Sequence, residues 1–193
     1  MTGGRAGLVA RIHNTPTMLV LAVTGGGVAS IGDLLSVAGA SRTILEVVVP
    51  YAEAALPDLL GGSAPDQAVS ELTAVEMAAA CHRRGRQLHP DVSEPVIGVA
   101  ATAALVSDRA KRGEHRAHVA VHGDAGPSGA WELTLHKGAR DRLAEDRIVS
   151  DLILFGIAQA SGLQDSPLPA LTEHDRLVVA DIGVAIRRSV GAP

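Results

Sequence analysis

Short, continuously apolar runs separated by glycine- and proline-bearing turns dominate the chain. Met18 to Val23 (MLVLAV) is apolar throughout and stops at a glycine cluster, which predicts a buried strand. Thr24 to Gly27 predicts a tight loop. Ala29 to Ser36 carries Ile31, Leu34 and Leu35 at helical spacing, so the opening unit reads strand, glycine loop, helix. After a turn at Ala38 to Ser41, the β-branched run Thr43 to Val49 predicts a second buried strand that ends at Pro50 and Tyr51. Glu53 to Leu60 predicts a short helix stopped by Gly61 and Gly62, and Ser70 is placed to cap a helix over Glu71 to Arg84.

Pro95 to Ala101 predicts a third strand leading into Thr102. The alternation from His115 to His122 predicts a fourth, and Trp131 to His136 a fifth that pairs antiparallel with it across the turn chemistry of DAGPSG (Asp124 to Gly129). Asp141 to Ser161 predicts a long amphipathic helix. Arg5 to Asn14 reads as a helix or an extended arm, Gln164 to Pro169 as a linker, and Asp175 to Ile186 as either a strand or a helix. Strands and helices mixed in this order imply a layered α/β domain with a mixed sheet.

Composition narrows the function classes. With 47% hydrophobic and 20% charged residues the chain can bury a core, and a formal charge of −4 argues against a general nucleic-acid binder. No apolar run is long enough to span a bilayer, and the start lacks the pattern of a signal peptide. The single cysteine, Cys81, excludes an intrachain disulfide and fits a reducing cytosol. Tyr51, Trp131 and Phe155 are the only aromatics, so a site needing a phenol must use Tyr51.

Three constellations can carry chemistry. Thr24-Gly25-Gly26-Gly27 opens a helix, where backbone N–H groups can cradle a phosphate or form an oxyanion hole; the same glycines also suit a plain strand–helix turn. Ser41 and Arg42, with Tyr51, supply a guanidinium for phosphate or carboxylate and a phenol to orient a ring or relay a proton. Their alternative is an exposed turn and a half-buried tyrosine. Thr102 ends a strand where open α/β sheets bind ligands, and Ser107, Asp108, Arg109, Lys111, Arg112 and His115 follow it. They form either a phosphate clamp or a solvated charged hairpin. His118 and His122 share one strand face and His115 takes the other, too far apart for joint chelation, so no metal site is expected. Cys81 reads as a small core residue.

The order of LAVTGGG (Leu21 to Gly27), AGASR (Ala38 to Arg42), VVVPYAEAAL (Val47 to Leu56), AVSELTAVEMA (Ala68 to Ala78) and GVAATAALVSDRAKRGEHRAHVAV (Gly98 to Val121) resembles the nicotinamide-nucleotide amidase family, the C-terminal domain of competence-damage CinA proteins. The likeness spans about Met18 to Leu163. It implies a three-layer α/β domain with a mixed, largely buried sheet over residues 1–163, with 164–193 as a C-terminal extension packed on the same domain. The departures are specific. Ala22 and Val23 stand near the family's serine-cysteine pair, Leu56 where its lysine follows the tyrosine, and the charged stretch Ser107 to Gly113 where a Gly-Pro segment follows Thr102. In this the chain is similar to the amidase-like half fused to nucleotidyltransferases in some plant proteins.

The resemblance implies hydrolysis of nicotinamide mononucleotide to nicotinic acid mononucleotide and ammonia. It also implies a homo-oligomer, a small-molecule nucleotide partner and a cytoplasmic location, with no cofactor, nucleic acid or membrane partner. On that reading Thr24, Tyr51 and Thr102 are the catalytic set, and Gly25, Gly26, Gly27, Ser41, Arg42, Arg109, Arg112 and His115 hold the substrate. Two alternatives stay open: a nucleotide-binding domain without chemistry, or with a different reaction on a related phosphoribosyl ligand; and a structural or interaction module.

Overall fold

Each apolar run becomes a strand of one six-stranded sheet. The computed structural model describes residues 4–109 and 112–180. In chain order the elements are α1 (Arg5–His13), β1 (Met18–Thr24), α2 (Ala29–Ser36), a 3-10 turn (Ala40–Arg42), β2 (Ile44–Val48), α3 (Ala55–Leu60), α4 (Glu71–Leu88), β3 (Val96–Ala104), β4 (His115–Gly123), β5 (Gly126–Leu135), α5 (Arg142–Ala160) and β6 (Arg176–Val179). The strand order is β2-β1-β3-β4-β5-β6. β2, β1 and β3 run parallel, whereas β4, β5 and β6 alternate antiparallel.

β1 lies inside the sheet between β2 and β3 and is buried on both faces, which is why its sequence is apolar without alternation. One face, with Leu21, Val23, Val99, Ala101, Val119 and Leu133, packs under α1, α2 and α5. The other face packs under α4 and α3 through small side chains, among them Ala22, Ala100, Ala120, Ala78 and Cys81. There α4 lies almost on the β3 backbone: a Cβ at Gly98 would sit 2.0 Å from the Ala78 carbonyl oxygen. A core of alanine and glycine on this face explains how the chain packs with so few aromatics.

Two expected boundaries shift. The β4–β5 connection is only the pair Asp124-Ala125, because β5 starts at Gly126; a bulge between Val121 and His122 adjusts the register. Asp175 to Ile186, unassigned between helix and strand, contributes β6, which closes one sheet edge against Trp131 to Thr134; its residues 181–186 lie outside the described residues. Among the described residues no helix is long and apolar enough to cross a membrane.

Candidate functional site

Parallel pairing of β2, β1 and β3 sets which predicted residues share a sheet edge. Thr24 and Thr102 are register partners at the carboxyl ends of β1 and β3, and Tyr51 follows the carboxyl end of β2. Ser41 and Arg42 precede β2, and Ile44 pairs with Leu19 near the start of β1. They therefore sit at the amino edge, the far end of the sheet from Thr24 and Tyr51, and cannot join a ligand site there. The crossover through α2 carries the chain back to that edge before β2 begins.

Thr24 and Tyr51 do meet. They line a cavity of about 280 Å³ with Pro50, Glu53, Leu56 and Pro65. Tyr51 is 71% exposed and presents its ring at the mouth. Thr24 Oγ1 donates to the Pro50 carbonyl at 3.0 Å, which fixes the loop after β2 against β1. Thr102 lies behind this cavity rather than in it. It is fully buried, and its Oγ1 donates to the Ala68 carbonyl at 2.6 Å. Arg116 donates to the next carbonyl, that of Val69, at 3.2 Å. Together they tie the strap between α3 and α4 (residues 61–70) down onto the sheet, and Ala64, Pro65 and Ala68 of that strap form one wall of the cavity.

The glycine loop faces the other way. Gly27 N, Val28 N and Ala29 N donate to the Asp146 carboxylate at 2.8, 3.2 and 3.0 Å, and Ser30 N donates to Ser150 Oγ at 3.1 Å. Asp146 and Ser150 belong to α5, on the face of the sheet opposite α3. A Cβ at Gly25 would fall 1.9 Å from the Ala103 carbonyl oxygen, and one at Gly27 would fall 2.4 Å from Ile153 Cδ1. Gly25 and Gly27 also have positive φ, of 73° and 86°. These glycines make room for close packing. Within the expected phosphate cradle of Gly25, Gly26 and Gly27, the Gly27 amide is already taken: an internal carboxylate, 8% exposed, holds the N-terminus of α2.

The third constellation separates in the same way. His115 is buried, its Nδ1 2.6 Å from Glu145 Oε1, and Glu145 Oε2 accepts from Val106 N at 2.8 Å. His115 thus ties the start of β4 and the end of the β3 loop to α5, with Nδ1 turned to an internal carboxylate. Arg109 and Arg112 are exposed on that loop and do not line the Tyr51 cavity. Lys111 lies outside the described residues. Among the described residues no cluster of three or more histidine, cysteine, aspartate or glutamate side chains is arranged to hold a metal ion.

Glu145 and Asp146 are the polar residues that sequence reasoning passed over. A signal existed. Asp146, Ser150, Ile153 and Ile157 form one stripe (i, i+4, i+7, i+11), and the last two are fully buried. A carboxylate heading an apolar stripe needs internal donors.

Ala22 is fully buried, and Leu56, which lines the Tyr51 cavity, is nearly so. Both belong to one apolar cluster with Ala74 and Ala100 beneath the Tyr51 cavity.

Solved structures superpose on most of the chain. The fold is that of the CinA proteins. The competence/damage inducible protein CihA of Agrobacterium tumefaciens superposes with a TM-score of 0.62 at 21% identity, over 86% of this chain and 99% of that one. A CinA superfamily protein of Enterobacter cloacae gives 0.60 at 18% identity, over 84% and 93%, and one of Escherichia coli gives 0.57 at 19%, over 81% and 86%. No protein-family model matches the sequence, and no curated protein does. The likeness is one of fold, at 21% identity or below.

Proposed function

We propose that this chain is a CinA-fold binding domain that takes the ring of a pyridine nucleotide in the Thr24–Tyr51 cavity and does not hydrolyse its amide. The observation that carries this reading is the Ala22–Leu56 cluster. Amide hydrolysis needs a nucleophile, a base to activate it and donors for the oxyanion. The resemblance would put the serine near Ala22 and the lysine at Leu56, both buried and apolar here; Thr24 donates its hydroxyl proton to the Pro50 carbonyl, and the Gly27 and Ala29 amides donate to Asp146. What remains suits binding: an exposed phenol face, an apolar wall, and the Glu53 carboxylate at the rim. An aromatic face beside a carboxylate favours a cationic ring.

The test is the purified full chain with nicotinamide mononucleotide, followed by thermal unfolding and by ammonia release. Saturable stabilisation that Tyr51→Ala abolishes, with no ammonia, supports the proposal; a ligand well above its Kd stabilises by about 2–3 kcal/mol. Ammonia release lost in Thr24→Ala would restore the hydrolase reading. No thermal shift at millimolar ligand would remove both.

A further inference from the structure

The molecule carries a second, larger hollow. It is a groove of about 660 Å³ between the 61–70 strap and the outer face of α4. Leu72, Glu76, Ala79 and Arg83 all line it. Their spacing of i, i+4, i+7 and i+11 puts them in one stripe along the helix. Seven residues of helix separate the two charges by about 10 Å. Ala79 lies between them, too short to bridge or cover either.

These charges stand out because they are uncommitted. Their neighbours on α4 are paired: Arg84 with Glu46, and Arg86 with Asp124. Among the described residues no hydrogen bond or ion pair reaches Glu76 or Arg83. Both line a mixed concavity, in which Leu60 and Leu72 lie beside Ser63, Gln67, Thr73 and the Asp66 carboxylate.

We propose that this groove binds an elongated zwitterion, with an anionic end on Arg83 and an ammonium end on Glu76, of which a three-residue peptide is the natural example. The guanidinium fork suits a terminal carboxylate. A peptide of three extended residues spans roughly 10 Å, the separation the stripe sets. The groove shares only Ala64 and Pro65 with the Tyr51 cavity, and the inference does not depend on what that cavity holds.

The experiment titrates the full-length chain with trialanine, N-acetyl-trialanine, trialanine amide and free alanine, following backbone amide chemical shifts. Trialanine is expected to shift the amides of Glu76, Ala79 and Arg83 saturably, with at least tenfold higher affinity than the other three probes. Arg83→Gln should reduce trialanine to the affinity of its amide, and Glu76→Gln to that of its acetylated form. Both side chains reach solvent, so both variants should fold; their melting curves check this. Equal affinities for all four probes, shifts elsewhere on the surface, or trialanine binding unchanged in either variant would overturn the proposal.

Discussion

Replacing Asp146 is the most direct perturbation of the glycine loop. Its carboxylate accepts from three backbone amides at the start of α2, at 2.8, 3.2 and 3.0 Å. Asp146→Ala leaves the buried Gly27 donor without a partner, and the part-buried Val28 and Ala29 donors to be met by water. One orphaned buried donor costs about 1–3 kcal/mol. Loss of the negative charge at a helix N-terminus adds roughly 0.3–1 kcal/mol. With the smaller cost of the other two amides, the total comes to about 2–5 kcal/mol, a large share of the roughly 5–15 kcal/mol that holds a typical domain folded. Asp146→Asn keeps one acceptor oxygen and should lose only about 1–2 kcal/mol. Urea unfolding followed by far-ultraviolet circular dichroism and by Trp131 fluorescence measures both. A second arm makes the test specific. In Asp146→Ala the vacated amides form an anion site, so phosphate should raise the urea midpoint by mass action relative to chloride at equal ionic strength. The wild type should show no such difference. A loss below about 1 kcal/mol in Asp146→Ala, or an equal phosphate effect in both proteins, would refute the reasoning.

Thr102→Val removes the hydroxyl that holds the Ala68 carbonyl and should cost about 1–2 kcal/mol, while Thr102→Ser stays near wild type; hydrogen exchange should quicken over residues 66–70 in the valine variant alone. Asp175 accepts from Arg140, from the His136 and Thr172 amides and from the Thr172 hydroxyl, and the Arg140 guanidinium first of all holds its carboxyl well below the usual carboxylate range. A depressed folded-state value means its stabilisation is complete above about pH 4 and drains as pH falls toward the folded value. The stability gap between wild type and Asp175→Asn, read from urea midpoints at pH 7 and pH 3, should therefore shrink in acid; a constant gap would contradict the assignment. Burial pushes the Cys81 thiol up to about 12, so a thiol reagent at pH 8 should label it only as fast as the chain unfolds.

The apolar runs made the strands legible. MLVLAV and PVIGVAA are buried on both faces, and a buried parallel strand leaves no alternation to misread; TILEVVV, expected to be buried, forms the edge strand β2 and is only partly covered. The position of Ser41 and Arg42 was legible too, by a rule of connection rather than composition. A strand, a helix and a parallel strand form a crossover, so the segment before the second strand sits at the edge opposite the loop after the first. Reading AGASR as a polar turn hid this, because a turn at either edge has the same chemistry. His115 shows the same tension. Alternation puts it on the face of Ala117, Val119 and Val121, all core residues, and a histidine on that face is buried before it is available to a ligand.

The glycine loop was beyond local reading for a deeper reason. A backbone that grips an external phosphate and one that packs against a neighbouring carbonyl and an internal carboxylate ask the same of the sequence: no Cβ and a helix start. What separates them is Asp146, nearly 120 residues away in the chain, and no local pattern encodes that partner. Asp146 also bears on the reaction. A carboxylate fixed beneath the loop opposes the approach of a second anion, and Ala22 and Leu56 withdraw polar chemistry from the other face of the same strand end. The Asp146 contacts and the Ala22–Leu56 cluster lie on opposite faces of the sheet and, on the proposed reading, bear on two different requirements of amide hydrolysis, the oxyanion donors and the activated nucleophile. Restoring one alone should therefore leave the chain inactive toward an amide, so an Ala22→Ser, Leu56→Lys double variant with Asp146 in place should bind its ligand and still release no ammonia.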